Sequence, residues 1–198
     1  MTREERFRKL RQWAPHAGAC AILVALLAYD RPTLEWIQEL HSPTVDALTQ
    51  LAAQLHGIAL PLLVGMSLVS WGIAKARARI RKAGAALLIA VILSAAAATV
   101  LKSAFERPGP GGFKSGSGES RLIRRFGRFP SSHAAELFSG ATVMAEFLPS
   151  TASPSFLIAT LVCHERLYRN THFPSDVFAG AWLGIVLARF TLSRLYPA

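Results

Sequence analysis

The chain has 198 residues, of which 52% are hydrophobic and 17% charged, and its formal net charge is +10. Soluble domains carry roughly 25% charged residues, and here the apolar residues come in long charge-free blocks, which excludes an ordinary soluble domain. The basic residues stand mostly between those blocks and form no aromatic-interleaved module of the RNA-binding kind. Their expected partner is therefore the bilayer surface, not nucleic acid.

A spanning helix needs about 20 mainly apolar residues. Basic residues up to Arg11 precede a first apolar block, Ala14–Tyr29. Tyr29, Asp30, Arg31 and Pro32 follow it instead of a small-residue cleavage site, so the block reads as a first membrane helix and not as a signal peptide. Thr33–Leu40 and Pro43–Leu51 read as short amphipathic segments lying along the interface, with Pro43 in a first helical turn. Leu55–Ala74 is the second block and Ala83–Leu101 the third. A polar stretch rich in Gly, Ser and Arg, Lys102–Phe129, separates these from the fourth block, Ser131–Leu148. The fifth, Phe156–Cys163, continues helically through Tyr168, and the sixth is Val177–Leu192. The expectation is an all-α polytopic membrane protein: one domain over residues 1–198, six transmembrane helices in a bundle, and short interfacial helices. Cys20 and Cys163 both lie in apolar stretches, with no CxxC pair and no disulfide framework.

Orientation follows from the basic loops. Arg3, Arg6, Arg8, Lys9 and Arg11 precede the first block, Lys75, Arg77, Arg79, Arg81 and Lys82 fill the second connection, and Arg189 and Arg194 close the chain. With six helices all of them face the cytoplasm. The stretch 102–129 then faces outward while carrying Lys102, Arg107, Lys114, Arg121, Arg124, Arg125 and Arg128. So many cations on the wrong side imply another task, and binding an anion is the obvious one.

Three polar segments fall at helix ends on that outer face. Lys102–Pro110 leaves the third helix, Pro130-Ser131-Ser132-His133 opens the fourth, and Arg166–Asp176 joins the fifth to the sixth. Pro and Ser ahead of an apolar run are helix-start residues, and the free N–H groups and dipole of such a start cradle a phosphate. His133 in that first turn is placed to protonate a leaving alkoxide. His172 and Asp176 are four residues apart, so Asp176 can accept one ring N–H of His172, fix its tautomer and leave the other nitrogen nucleophilic. Arg166 adds a fork for phosphate oxygens. Glu136, one turn beyond His133, is a candidate hydrogen-bond partner for the site. His16, His41, His56, His164 and Glu146 lie outside these segments and are read as structural or interfacial.

These segments resemble the three signature motifs of the type 2 phosphatidic acid phosphatase superfamily, which includes membrane lipid phosphatases, glucose-6-phosphatase and vanadium haloperoxidases. The family pattern is a lysine, six residues and Arg-Pro; then Pro-Ser-Gly-His; then Ser-Arg, five residues, His, three residues and Asp. Arg166, His172 and Asp176 fall at the family spacing, as do Pro130, Ser131 and His133, and the resemblance covers roughly residues 83–190. Three departures stand out. Counting from Lys102, the family arginine falls on Gly109, and Arg107-Pro108 two residues earlier is the expected substitute. Ser132 replaces the motif glycine, and Glu165 replaces its serine.

The resemblance implies that His172 attacks phosphorus to form a phosphohistidine, assisted by Asp176, while His133 protonates the departing oxygen. It implies that Lys102, Arg107, Ser131, Ser132 and Arg166 hold the phosphate oxygens. With no HExxH motif and no acidic metal cluster, neither a metal nor another cofactor is implied. The expected substrate is a lipid phosphate or pyrophosphate: undecaprenyl pyrophosphate, phosphatidic acid, phosphatidylglycerol phosphate or lipid A 1-phosphate. The charge of the outer stretch, more than a monophosphate needs, favours the first. Phosphotransfer to a lipid hydroxyl through the same site, and a lipid-binding protein with impaired catalysis, are the alternatives.

Overall fold

The computed structural model describes residues 3–40, 42–55, 57–111 and 127–197, with side chains from residue 13 onward. The described residues form helices α1 (Arg3–Glu39), α2 (Pro43–Gln54), α3 (Ala59–Ala74), α4 (Ala78–Phe105), α5 (Ser132–Phe147), α6 (Ala152–Tyr168) and α7 (Pro174–Leu195). A single 3-10 turn, Pro149–Thr151, links α5 to α6. Lys114, Arg121, Arg124, Arg125, His41 and His56, all discussed above, lie outside the described residues, as do the side chains of Arg3–Arg11.

The bundle is apolar outside and small-residue inside. Val24, Ile73 and Val100 are each more than 60% exposed, while Ala83, Ala86, Ala90, Ala98, Ala134 and Ala135 are fully buried. Lipid offers apolar side chains no less than a protein core does, so helices in a membrane associate through close backbone approach between small residues. Gly180 and Gly184 show this on α7. A Cβ at either would overlap a carbonyl oxygen of the α5 side, that of Ser131 or of Ala135. The starts of α5 and α7 are thereby held against each other.

Within the described residues, three helical stretches are long and apolar enough to cross a membrane: Trp13–Glu39, Ala78–Phe105 and Pro174–Leu195. Helices α2 and α3, bent by 55° to one another, make a fourth if taken together. Helices α5 and α6, with 16 and 17 residues, are shorter than the roughly 20 residues a full span requires. Membrane-protein character therefore stands on three or four spans where six were expected.

The first helix also departs from expectation. In place of a break at Pro32 and a separate interfacial segment, α1 runs continuously through Pro15 and Pro32 to Glu39. A proline inside a helix removes one backbone hydrogen bond, but tertiary bonds hold the far end in place. The Gln38 amide donates to the carbonyls of Leu167 (2.9 Å) and Tyr168 (2.8 Å) in the last turn of α6. The Pro43 segment is a separate helix, as expected. Ser42 is its N-cap, accepting from Val45 N–H at 3.3 Å, and Pro43 follows. The Tyr168 hydroxyl bonds to Asp46 and so fastens α2 to the end of α6.

Candidate active site

Each polar segment is shaped by a helix terminus. Helix α4 ends where Glu106 adopts a left-handed conformation (φ 44°), and its N–H returns to Lys102 O at 3.0 Å. Lys102 thus lies in the last turn, with Arg107 just past it. Helix α6 ends in a tighter wrap. Asn170, a residue that tolerates φ of 55°, turns the chain back. The carbonyl of Arg166 then accepts from Thr171 N (3.0 Å), Thr171 Oγ1 (2.8 Å) and His172 N (3.3 Å). That wrap fixes the backbone of His172. Helix α7 begins at Pro174, and Asp176 in its first turn accepts Phe173 N–H through Oδ2 at 2.9 Å.

Helix α5 begins differently. Ser131 is its N-cap, yet no side chain caps the first turn. The Ser131 hydroxyl is fully buried without a hydrogen-bond partner among the described residues, while its backbone N–H donates to Asp176 O at 2.9 Å. An uncapped helix start with a buried hydroxyl beside it offers donors and a favourable dipole to an anion. The Ser131–Asp176 bond ties this start to the His172 segment.

His172 is 3% exposed and Asp176 fully buried. His172 Nδ1 lies 3.5 Å from Asp176 Oδ2, close enough for electrostatic pairing but without hydrogen-bond geometry. Burial pushes the His172 imidazole below the ordinary histidine range, Asp176 acts in the opposite direction, and the charges of Lys102 and Arg128 reinforce the lowering. The ring is accordingly neutral, the form a nucleophile requires.

Arg107 turns its guanidinium to two buried carboxylates. Its Nη1 donates to Asp176 Oδ1 and to Ser175 Oγ, both at 2.7 Å, and its Nη2 to Asp30 Oδ2 at 2.7 Å. The guanidinium also lies 4.7 Å from the Phe173 ring centroid. Two buried carboxylates thus hold this planar cation. Asp30 is the residue sequence reasoning missed. It reaches in from α1, is 4% exposed, and accepts Ser175 N–H (2.8 Å) and Ser175 Oγ–H (2.5 Å). The available signal was an acidic residue directly after an apolar run, which a site at the membrane boundary makes easy to take for an interfacial one.

Glu165, in the place of the motif serine, is fully buried and closed off by two arginines: Arg166 Nε at 2.6 Å and Arg169 Nε at 2.8 Å. Its charge is therefore matched, and it fixes one edge of the Arg166 fork. Glu136, 7% exposed, and Arg166 both act electrostatically on Lys102, as do Asp176 and Arg128. Ser132 opens α5 half-buried, and His133 follows it in the first turn. Of the other histidines, His16 packs against the rings of Trp13 and Trp182, and His164 stacks on Tyr168.

Residues 83–197 match the family model described as the PAP2 superfamily. The fold is similar to the crystal structure of Aquifex aeolicus LpxE, with 26% identity and a TM-score of 0.61 over 83% of this chain and 94% of that one. It is also similar to the structure of a transmembrane PAP2 type phosphatidylglycerolphosphate phosphatase from Bacillus subtilis. There the identity is 21% and the TM-score 0.58, over 90% of this chain and 94% of the other, a likeness of fold alone. No curated protein sequence matches the chain.

Proposed function

The chain belongs to the PAP2 superfamily, and from that premise we propose that it is a lipid phosphatase working through a phosphohistidine on His172. The observation that carries this reading is the convergence of helix ends: buried His172 beside Asp176, bonded through the Asp176 carbonyl to the uncapped start of α5. The neutral imidazole of His172 attacks the terminal phosphorus through Nε2, and the bond from that phosphorus to the leaving oxygen breaks, the lipid oxygen in a monophosphate or the bridging oxygen in a pyrophosphate. His133 gives its proton to that oxygen. Water then attacks the phosphohistidine, returning a proton to His133, and inorganic phosphate leaves. Lys102, Arg166 and the backbone N–H groups of Ser132 and His133 face the phosphate oxygens, Glu136 supports Lys102, and Arg107 orients Asp176. No metal enters this scheme.

A lipid substrate is supported by an apolar groove of about 300 Å³ between α1, α4 and α7. Leu101, Phe129 and Pro130, neighbours of Lys102 and Ser131 in the chain, line it, and Phe178, Trp182 and Val186 continue it along α7. A tail in the groove leaves the headgroup at the helix ends. On this reading the protein is a six-span bacterial inner-membrane protein with the site on the periplasmic side, and undecaprenyl pyrophosphate is the preferred headgroup.

Phosphate release from undecaprenyl pyrophosphate, phosphatidic acid, phosphatidylglycerol phosphate and lipid A 1-phosphate, in detergent, tests the proposal. Wild type is expected to release phosphate from at least one, fastest from the pyrophosphate, and His172→Ala from none. Equal release by both proteins from every lipid would sink it.

A further inference from the structure

Gly109 stands where the family pattern has an arginine, and the guanidinium two residues earlier is taken up by Asp30, Ser175 and Asp176. The space around Gly109 shows what has replaced it. A Cβ at 109 would lie 2.9 Å from Arg128 Cγ and 3.6 Å from its Cδ, and 3.1 Å from the carbonyl oxygen of Thr171, the residue before His172. The Arg128 stem therefore runs across the face of Gly109, beside the segment that carries His172. Its backbone is held there, with Arg128 N–H donating to Arg107 O at 2.7 Å. Gly127 makes that approach possible, since a Cβ there would sit 2.5 Å from Arg107 N. The half-buried Arg128 side chain acts electrostatically on both Lys102 and His172.

We propose that Arg128, delivered by the far end of the connection between α4 and α5, supplies the phosphate-binding guanidinium that position 109 lacks, its stem filling the space a side chain there would need. Arginine on a segment other than the motif's own can serve because what matters is a planar fork of donors beside the anion, not its place in the chain. The proposal rests on the phosphatase reading above, because the anion is the phosphoryl group that His172 receives. It also gives Gly109 a reason: any larger residue would collide with the arginine that serves the site.

Orthovanadate, a phosphate mimic, reads this site independently of turnover. It is expected to raise the thermal midpoint of the wild-type protein in detergent. Arg128→Ala should lose most of that shift, measured against its own ligand-free midpoint. Its KM for a lipid phosphate should rise, and its kcat/KM should fall roughly 100-fold. Arg128→Lys should be intermediate, because lysine keeps the charge without the fork. Gly109→Arg alone should be impaired by collision, whereas Gly109→Arg combined with Arg128→Ala should regain vanadate binding. The proposal is overturned if Arg128→Ala retains the wild-type shift, if the double variant binds no better than Arg128→Ala, or if wild type shows no shift. An inactive wild type that still binds vanadate through Arg128 would refute the phosphatase reading and leave the anion site standing.

Discussion

At the end of the bundle that holds the site, Asp30, Glu165 and Asp176 are buried to 4% exposure or less, and each is met by an arginine at 2.6–2.8 Å. At the opposite end Arg79, Lys82 and Arg194 are exposed and meet neutral groups. Arg79 donates to Phe147 O at 3.0 Å, where α5 ends, and Lys82 and Arg194 lie over the rings of Tyr196 and Phe190. The difference is one of cost. Burying an ion costs several kcal/mol unless it is paired and hydrogen-bonded, so a buried lattice of carboxylates and arginines persists only where something needs it. Exposed cations at helix ends cost little.

The contrast sharpens most at Asp176. Asp176→Asn removes the acceptor that orients His172 and a partner of Arg107, and kcat should fall about 1000-fold. The pH profile carries a sign. Burial already places loss of the neutral imidazole below the ordinary value of 6.5, and Asp176 pulls it back upward. The acid limb of kcat in wild type is therefore expected below pH 6.5, and in Asp176→Asn at lower pH still. A limb that moved upward in the variant would contradict the assigned pair.

Asp30→Ala leaves Arg107 with one of its two carboxylates and the Ser175 hydroxyl without an acceptor. A loss of about 3 kcal/mol is expected, read as a lower thermal midpoint, with turnover reduced because Arg107 no longer fixes Asp176. Unchanged stability and turnover would mean that α1 contributes nothing to the site. Glu165→Gln weakens the hold on Arg166 and Arg169, and about 2 kcal/mol is expected. The smallest effect belongs to the opposite end. Arg79→Ala gives up one exposed bond to a helix-end carbonyl and should cost under about 1 kcal/mol, with kcat/KM unchanged. A larger cost there than at Asp30 would reverse the comparison.

What was legible in the sequence was local. Pro43 behind Ser42, Pro174 ahead of Asp176 and Ser131 at the start of α5 announce helix starts within three or four residues, and the structure has all three starts. The His172–Asp176 spacing likewise puts both residues in one short segment. The rest depended on partners far apart in the chain. Asp30 and Ser175 are 145 residues apart, and Gln38 reaches a carbonyl 129 residues away. No periodicity announces such bonds, and they are what carries α1 past Pro32. The replacement of a guanidinium across Gly109 was hidden for the same reason, because Arg128 is near only in space.

The central claim is the covalent step on His172. The most direct test uses His133→Ala with p-nitrophenyl phosphate, whose leaving group needs no proton donor, so that attack proceeds while water activation is lost. After a neutral or alkaline quench, mass spectrometry is expected to find an acid-labile phosphoryl group on residue 172, formed in a burst equal to the enzyme present. A phosphoryl group on any other residue, or turnover by His172→Ala at the wild-type rate, would contradict the account.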